Sequence, residues 1–463
     1  MNPPQTEALR MVRVSHPGIS LWQSTVRQVV AQHIARGDIS SRDVARHPLV
    51  QAADAYAFNA LSKPMEVKAP PPAGDVGPDR LFEVAYAHAQ NLVERTTSFA
   101  ESIGHFANLD PLFVECIFDF VKWYWLAHRK PEYRDWKQSA SGTNFGVVDH
   151  LIPGDAKVGL IGDWGTGMDD AGILLERLLS DHSPAVLIHL GDIYYSGTPF
   201  EAQHNFGAVL DRVRADLHLS STDLRVYTLP GNHDYYSGGI GFYRLIDSLN
   251  QGGSGQTASY FCLRTSDGSV QFLGMDTGFY DRDPGVGFDA DRVAPKIHDS
   301  ELEWLLDKIN GFPGKTILFS HHQLFSSHSA LNGLNSGRVP YLNQALLDAF
   351  RPSFDRIAAW FWGHEHSLMI FEDGQFGLKK GRLIGCSAFE TVEGDDPYSI
   401  NFPQVKQRSP AIQLGRDGDW YNHGCALIDL GQRSISYYQM HSWLEDQPQP
   451  TPDLALLFSE QFA

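Results

Sequence analysis

The chain has 463 residues and a formal net charge of −18 at pH 7. That balance excludes a nucleic-acid binder that works by neutralising phosphates, and it excludes docking on anionic membranes. Hydrophobic content of 42% with 12% aromatics implies a large buried core, and the length allows two or three domains.

In chain order, residues 19–37 predict a helix, with Ser20 as its cap, Val26, Val29, Val30 and Ile34 as its apolar stripe and Gly37 as its stop. A second helix is expected over Ser41–Leu61, followed by a Pro-rich linker near 64–78. Residues 79–103 and 110–128 read as helical again, with Phe113, Ile117, Phe120, Val121 and Trp125 at helical spacing. Residues 1–140 are therefore an N-terminal helical region, either a cap on the rest of the chain or a module for a protein partner. Its histidines, His88, His105 and His128, lack metal spacing. Cys116, Cys262, Cys386 and Cys425 form no CxxC pair and read as buried free thiols. No basic stretch followed by an apolar run opens the chain, and Leu112–Ala127 is short and carries Glu115, Asp119 and Lys122. The expected location is cytoplasmic.

From Lys157 strands and helices alternate. Five short apolar runs, Val158–Ile161, Ala185–Leu190, Arg225–Leu229, Thr316–Phe319 and Ile357–Trp362, read as buried strands. Each precedes a polar cluster: Gly162-Asp163-Trp164-Gly165, Gly191-Asp192-Ile193-Tyr194-Tyr195, Gly231-Asn232-His233-Asp234, Ser320-His321-His322 and Gly363-His364-Glu365-His366. In open α/β sheets ligands bind past the carboxyl ends of the strands, which is where all five clusters fall. Helices are expected at 168–181, 200–216, 239–249 and 299–310, with a hairpin around Ser266-Asp267-Gly268 and long loops over 277–291 and 322–339. Further strand-like runs are Arg382–Ala388, Cys425–Leu430 and Ser434–Met440. A domain over residues 155–442 results. The tail, 443–463, is Pro-rich and then apolar over Leu454–Phe458, and either tucks onto that domain or serves a partner.

Carboxylate, amide oxygen and imidazole together suit borderline cations such as Zn, Fe, Mn or Ni. The clusters hold too many ligands for one ion. They suit two ions about 3.5–4 Å apart, bridged by a carboxylate and a water-derived hydroxide.

The ordered set GD…GDxxY…GNHD…H…GHxH resembles the calcineurin-like metallophosphoesterase superfamily over about residues 155–442. Trp-Gly after the first Asp, and a Tyr three residues after the second, is similar to the purple acid phosphatase branch. Gly165 stands where most of the wider superfamily has a His. The resemblance implies a four-layer α/β/β/α sandwich. It places Asp163, Asp192, Tyr195 and His366 on a first ion, and Asp192, Asn232, His321 and His364 on a second, with Asp192 as the bridge. A Tyr195 phenolate would favour Fe(III), paired with Fe, Zn or Mn, and Tyr194 would point elsewhere if the segment is extended. Adjacent residues at a strand end point apart, so only one of His321 and His322 is expected to ligate, and the family pattern puts it on His321. By the same resemblance His233 faces the substrate, where it can donate to a phosphate oxygen or protonate the leaving group; Asp234 is expected to bond an imidazole and fix its tautomer. Asn232, His322 and His328 are expected at the substrate. The implied activity is hydrolysis of small-molecule phosphoesters, monoesters first. A phosphodiesterase on cyclic nucleotides or nucleotide diesters is the alternative. A non-catalytic scaffold predicts broken motifs, and these are intact.

Overall fold

The computed structural model describes residues 119, 123–124, 129–136, 145–250, 254–283, 292–333, 335–391, 393–417, 420–440 and 453–462. All lie in one compact unit, Cys116–Ser442 with Thr451–Ala463. The helices expected at 19–37, Ser41–Leu61 and 79–103, and the linker near 64–78, lie outside the described residues; so does 110–128 apart from Asp119, Trp123 and Tyr124.

The strands in chain order are β1 (Val147–Ile152), β2 (Lys157–Ile161), β3 (Val186–His189), β4 (Arg225–Thr228), β5 (Phe261–Thr265), β6 (Val270–Gly274), β7 (Lys315–Ser320), β8 (Ile357–Trp362), β9 (Leu368–Ile370), β10 (Gly381–Ile384), β11 (Arg416–Asp417), β12 (Trp420–Tyr421), β13 (His423–Asp429), β14 (Ser434–Met440) and β15 (Leu454–Gln461). One large sheet runs β1-β5-β6-β7-β8-β10-β9 and the other β15-β14-β13-β2-β3-β4, while β11 and β12 form a separate two-stranded sheet. β2, β3 and β4 are parallel, as are β6, β7, β8 and β10. The parallel strands therefore end on one edge of each sheet, and every motif follows such an end.

Period-two alternation explains the layering. Val158 and Leu160 of β2, Val186 and Ile188 of β3, and Ala426 and Ile428 of β13 enter one core with Phe261, Phe272, Phe319 and Phe361 of the other sheet. Their neighbours Ile161, Leu187, Cys425 and Leu427 face the opposite way. There they pack on Ala171, Leu174, Leu175 and Leu178 of helix α1 (Asp169–His182) and on Phe206, Val209 and Val213 of the helical stretch ending in α2 (Ala208–Asp216). Trp304, Leu305 and Ile309 of α5 (Asp299–Gly311), and Leu346, Leu347 and Phe350 of α6 (Gln344–Phe350), join the first core. Between these pairs come α3 (Asn232–Tyr236) and α4 (Ile240–Ser248). Mixed sheets flanked by helices give the α/β architecture expected.

The sheets extend beyond residues 155–442 at both ends. β1 pairs with β5, and the apolar tail forms β15, the edge strand beside β14. Glu460 on β15 reaches the other sheet, where Arg382 of β10 meets it through Nε at 2.6 Å and Nη2 at 2.7 Å. No described helix is long and apolar enough to cross a membrane.

Candidate metal centre

Local backbone shape brings the motif side chains together. Asp163, Asp192 and His364 adopt positive φ of 54°, 70° and 72° just past β2, β3 and β8. Left-handed backbone turns the chain sharply, and for non-glycine residues it is uncommon and concentrated at functional sites. The glycines before the ligand-type residues leave room for carboxylates. A Cβ on Gly231 would collide with Asp192 Oδ1, and one on Gly363 would stand 2.6 Å from Asp163 Oδ2.

Two groups of donor atoms result. In the first, the Tyr194 hydroxyl donates to Asp163 Oδ1 at 2.8 Å and lies 3.1 Å from His366 Nε2, which is 3.5 Å from Asp163 Oδ1. In the second, His321 Nε2 lies 3.3 Å from Asp192 Oδ2, 3.2 Å from Asn232 Oδ1 and 3.1 Å from His364 Nδ1. Asp163, Asp192 and His321 also present ligand atoms within 4.8 Å of one another, which joins the groups. Lone-pair atoms on an ion with bonds of about 2.0–2.2 Å stand roughly 3 Å apart, so this donor set fits cations. His321 Nδ1 is held by the Leu190 carbonyl at 3.0 Å, which aims Nε2 into the group.

The electrostatics of the bare chain agree. Burial works against a charged His321, but Asp192 beside it prevails and raises the imidazole to about 9. Burial likewise opposes a charged Asp192, and His321, His233 and His364 overcome it and depress the carboxyl. Burial, with His322 and His321 nearby, keeps His364 well below the usual imidazole range. The proton held on His321 stands where a cation would compete for the same lone pair.

Asp163, Asp192, Asn232, His321, His364 and His366 thus come together at one edge. Tyr195 does not stand where it was expected. Residues 194–196 form a turn, so strand alternation does not apply, and the Tyr194 hydroxyl enters the first group. The Tyr195 backbone N–H donates to Glu201, and its carbonyl lies 2.7 Å from His233 Nδ1. Asp234 does not bond an imidazole. It is the third residue of α3, and its Oδ2 turns back to accept the N–H groups of Gly231 at 2.8 Å and Asp192 at 3.2 Å. His322 has both ring nitrogens engaged by the wall, with Thr277 Oγ1 and Asp281 Oδ2 each at 3.0 Å. His328 Nδ1 lies 2.8 Å from Ser399 Oγ, and none of its described bonds is to either donor group.

The sequence reading passed over Phe389, whose ring stacks on His366 at 3.8 Å, and Tyr236, whose hydroxyl accepts from Asn232 Nδ2 at 2.6 Å. Asp281 was also missed; it lies in a loop without a motif. Tyr236 had a signal, being four residues after Asn232 and so on the same helix face.

Residues 156–368 match the model of the calcineurin-like phosphoesterase family. Over these residues, somewhat under half of the chain, the sequence is similar to that family. Among solved structures the chain is similar to a dimetal phosphatase from Danio rerio, with 13% identity, TM-score 0.37, and coverage of 65% of this chain and 98% of that one. It is similar to PhoD at 11% identity and TM-score 0.42, covering 68% and 70%. A purple acid phosphatase, PPD1 from yellow lupin (Lupinus luteus), matches at 12% identity and TM-score 0.36, covering 62% of this chain and 52% of its own. No protein of curated function matches the chain by sequence.

Proposed function

We propose that the protein is a binuclear phosphomonoesterase similar to the purple acid branch. The observation that carries this reading is the pair of donor groups joined by Asp163 and Asp192. Asp163, Asp192, Tyr194 and His366 would hold one ion, and Asp192, Asn232, His321 and His364 the other. Two such cations supply an activated water and neutralise charge on a phosphoryl group. The donor chemistry suits Fe, Zn or Mn.

The chain's own residues do the rest. His233 is fixed through Nδ1 by the Tyr195 carbonyl, so Nε2 is the atom that exchanges a proton with the leaving alcohol. Its backbone N–H donates to Asp192 Oδ1 at 3.1 Å, which ties the acid to the bridge. Burial lowers its pKa, and because Nδ1–H is committed to the carbonyl, only the imidazolium form carries the Nε2 proton that the leaving alcohol takes; the neutral form can only accept one there. Asn232 serves metal and substrate from one amide, oriented by Tyr236. Asp281 and Thr277 hold His322 behind His364, where the rings stand 4.4 Å apart.

A specific feature favours a second reading, a phosphodiesterase. Arg282 donates to the Phe279 carbonyl at 2.6 Å and Arg292 pairs with Asp281 at 3.4 Å. These bonds engage both guanidinium groups with the loop itself, although the Arg292 charge still acts on His364, and a diester needs less positive charge. Parallel kcat/KM values for an aryl phosphomonoester and an aryl phosphodiester, on metal-loaded protein, separate the two. Preference for the monoester is expected, and hydrolysis of neither would refute the enzyme reading.

The phenol assignment has its own test. Tyr194→Phe is expected to abolish visible charge-transfer absorption in iron-loaded protein, or to weaken metal affinity by about 10–100-fold in a colourless one. Tyr195→Phe leaves both unchanged. The opposite pattern in titrations of the two variants would return the role to Tyr195.

In this reading residues 155–442, with β1 and β15, form the catalytic domain. Cys262, Cys386 and Cys425 are buried free thiols, which supports a reducing, cytoplasmic location. The substrate is a small phosphoester rather than a nucleic acid, consistent with the negative net charge.

A further inference from the structure

We propose that Asp170, Glu390 and His423 form a third cation site, which takes a divalent ion of the zinc or manganese class. The three share no ligand with the two groups above. They come from the first turn of α1, the loop after β10 and the start of β13. Each is buried, with 2%, 6% and 1% of its surface exposed. Their ligand atoms all lie within 4.8 Å of one another. His423 Nε2 and Asp170 Oδ2 stand 3.0 Å apart, the spacing of two donors on one ion with bonds near 2.0–2.2 Å.

Charge and chemistry point the same way. A divalent ion cancels the charge of both carboxylates and satisfies the imidazole lone pair. One nitrogen and two oxygen donors suit zinc or manganese, and leave a coordination position for water.

Its place in the fold suggests the task. Glu390 sits between two residues that touch His366: the Phe389 ring stacks on it at 3.8 Å, and Thr391 Oγ1 donates to its carbonyl at 3.1 Å. An ion at Glu390 ties that loop to α1 and β13 and so fixes the backing of His366. In this role Asp170, Glu390 and His423 are positioning residues.

The test is metal stoichiometry on the full chain, by elemental analysis and by titration of metal-depleted protein with Co(II), read in absorption. About three ions per chain are expected for the parent. Glu390→Gln and His423→Gln should each lose one ion, keep the other two, and remove the Co(II) absorption of the third equivalent. Asp192→Asn should retain this third ion while losing binding at the paired groups, so its result distinguishes a failure here from a failure of the binuclear reading. A parent that binds only two ions, with binding reduced in Asp192→Asn and untouched in Glu390→Gln, would show the triad to be a buried ion pair and overturn the proposal. Where the glutamine variants do not fold, the parent and Asp192→Asn titrations still decide it.

Discussion

Asp192→Asn is expected to lower kcat/KM by on the order of a thousandfold, about 4 kcal/mol of transition-state stabilisation. Its two oxygens serve different neighbours, Oδ2 facing His321 Nε2 at 3.3 Å and Oδ1 accepting the His233 N–H at 3.1 Å. Asparagine keeps the shape but exchanges one oxygen for an amide nitrogen and removes the charge. A neutral amide has one lone-pair oxygen and cannot span two cations. One of the paired ions should be lost, and the His233 backbone should lose a charged acceptor. The burial of Asp192 sharpens the effect, because charge in a site that excludes water interacts strongly. Kinetics, metal content and a thermal melt on the same preparation check this. Activity within tenfold of the parent, with both ions retained, would remove Asp192 from the bridge.

Glu460→Ala should destabilise the fold by about 3–5 kcal/mol, because it leaves a buried guanidinium without its main counter-charge. Arg382 is 1% exposed and meets Glu460 through both Nε and Nη2. Lys380 Nζ at 2.8 Å and the Tyr437 hydroxyl at 2.7 Å complete the ring around the carboxylate. Asp373 remains at 2.7 Å from Arg382 Nη2, but its side chain is 56% exposed and compensates poorly. Burial alone would raise the Glu460 carboxyl; hydrogen bonds and charge from Arg382, with Lys380 and Tyr437, prevail and lower it to about 2. A depressed carboxyl stabilises the fold above its unfolded value, near 4.5, and the contribution fades as pH falls towards 2. Urea midpoints should therefore separate parent and variant most at pH 7, less at pH 3, and converge near pH 2. A gap that does not change with pH would mean that packing, not charge, holds β15.

Much of this was legible in the chain itself because the signals are short-range. Each apolar run that became β2, β3, β4, β7 or β8 carries its motif at its own end, so strand, turn and ligand are read within about ten residues. The helices Asp169–His182, Ile240–Ser248 and Asp299–Gly311 fall within a residue of their expected spans. Two kinds of feature escaped. Tyr194 was misplaced because strand alternation was extended into residues that turn. Asp170 with His423, and Arg382 with Glu460, pair across 253 and 78 positions, and no local pattern records such partners. The helix Gln344–Phe350 escaped because seven residues carry too few apolar repeats to show a period.

β15 follows every other described strand in chain order, so it leaves the ribosome after them. Until then β14 presents an open row of backbone donors and acceptors, and Arg382 lacks its carboxylate from the other sheet. The nascent catalytic domain must therefore wait, half-closed, with a sheet edge that invites pairing between chains. A stalled or clipped product that ends before Leu454 would carry all five polar clusters and the shared core, and still lack the Glu460 carboxylate that Arg382 meets from the other sheet.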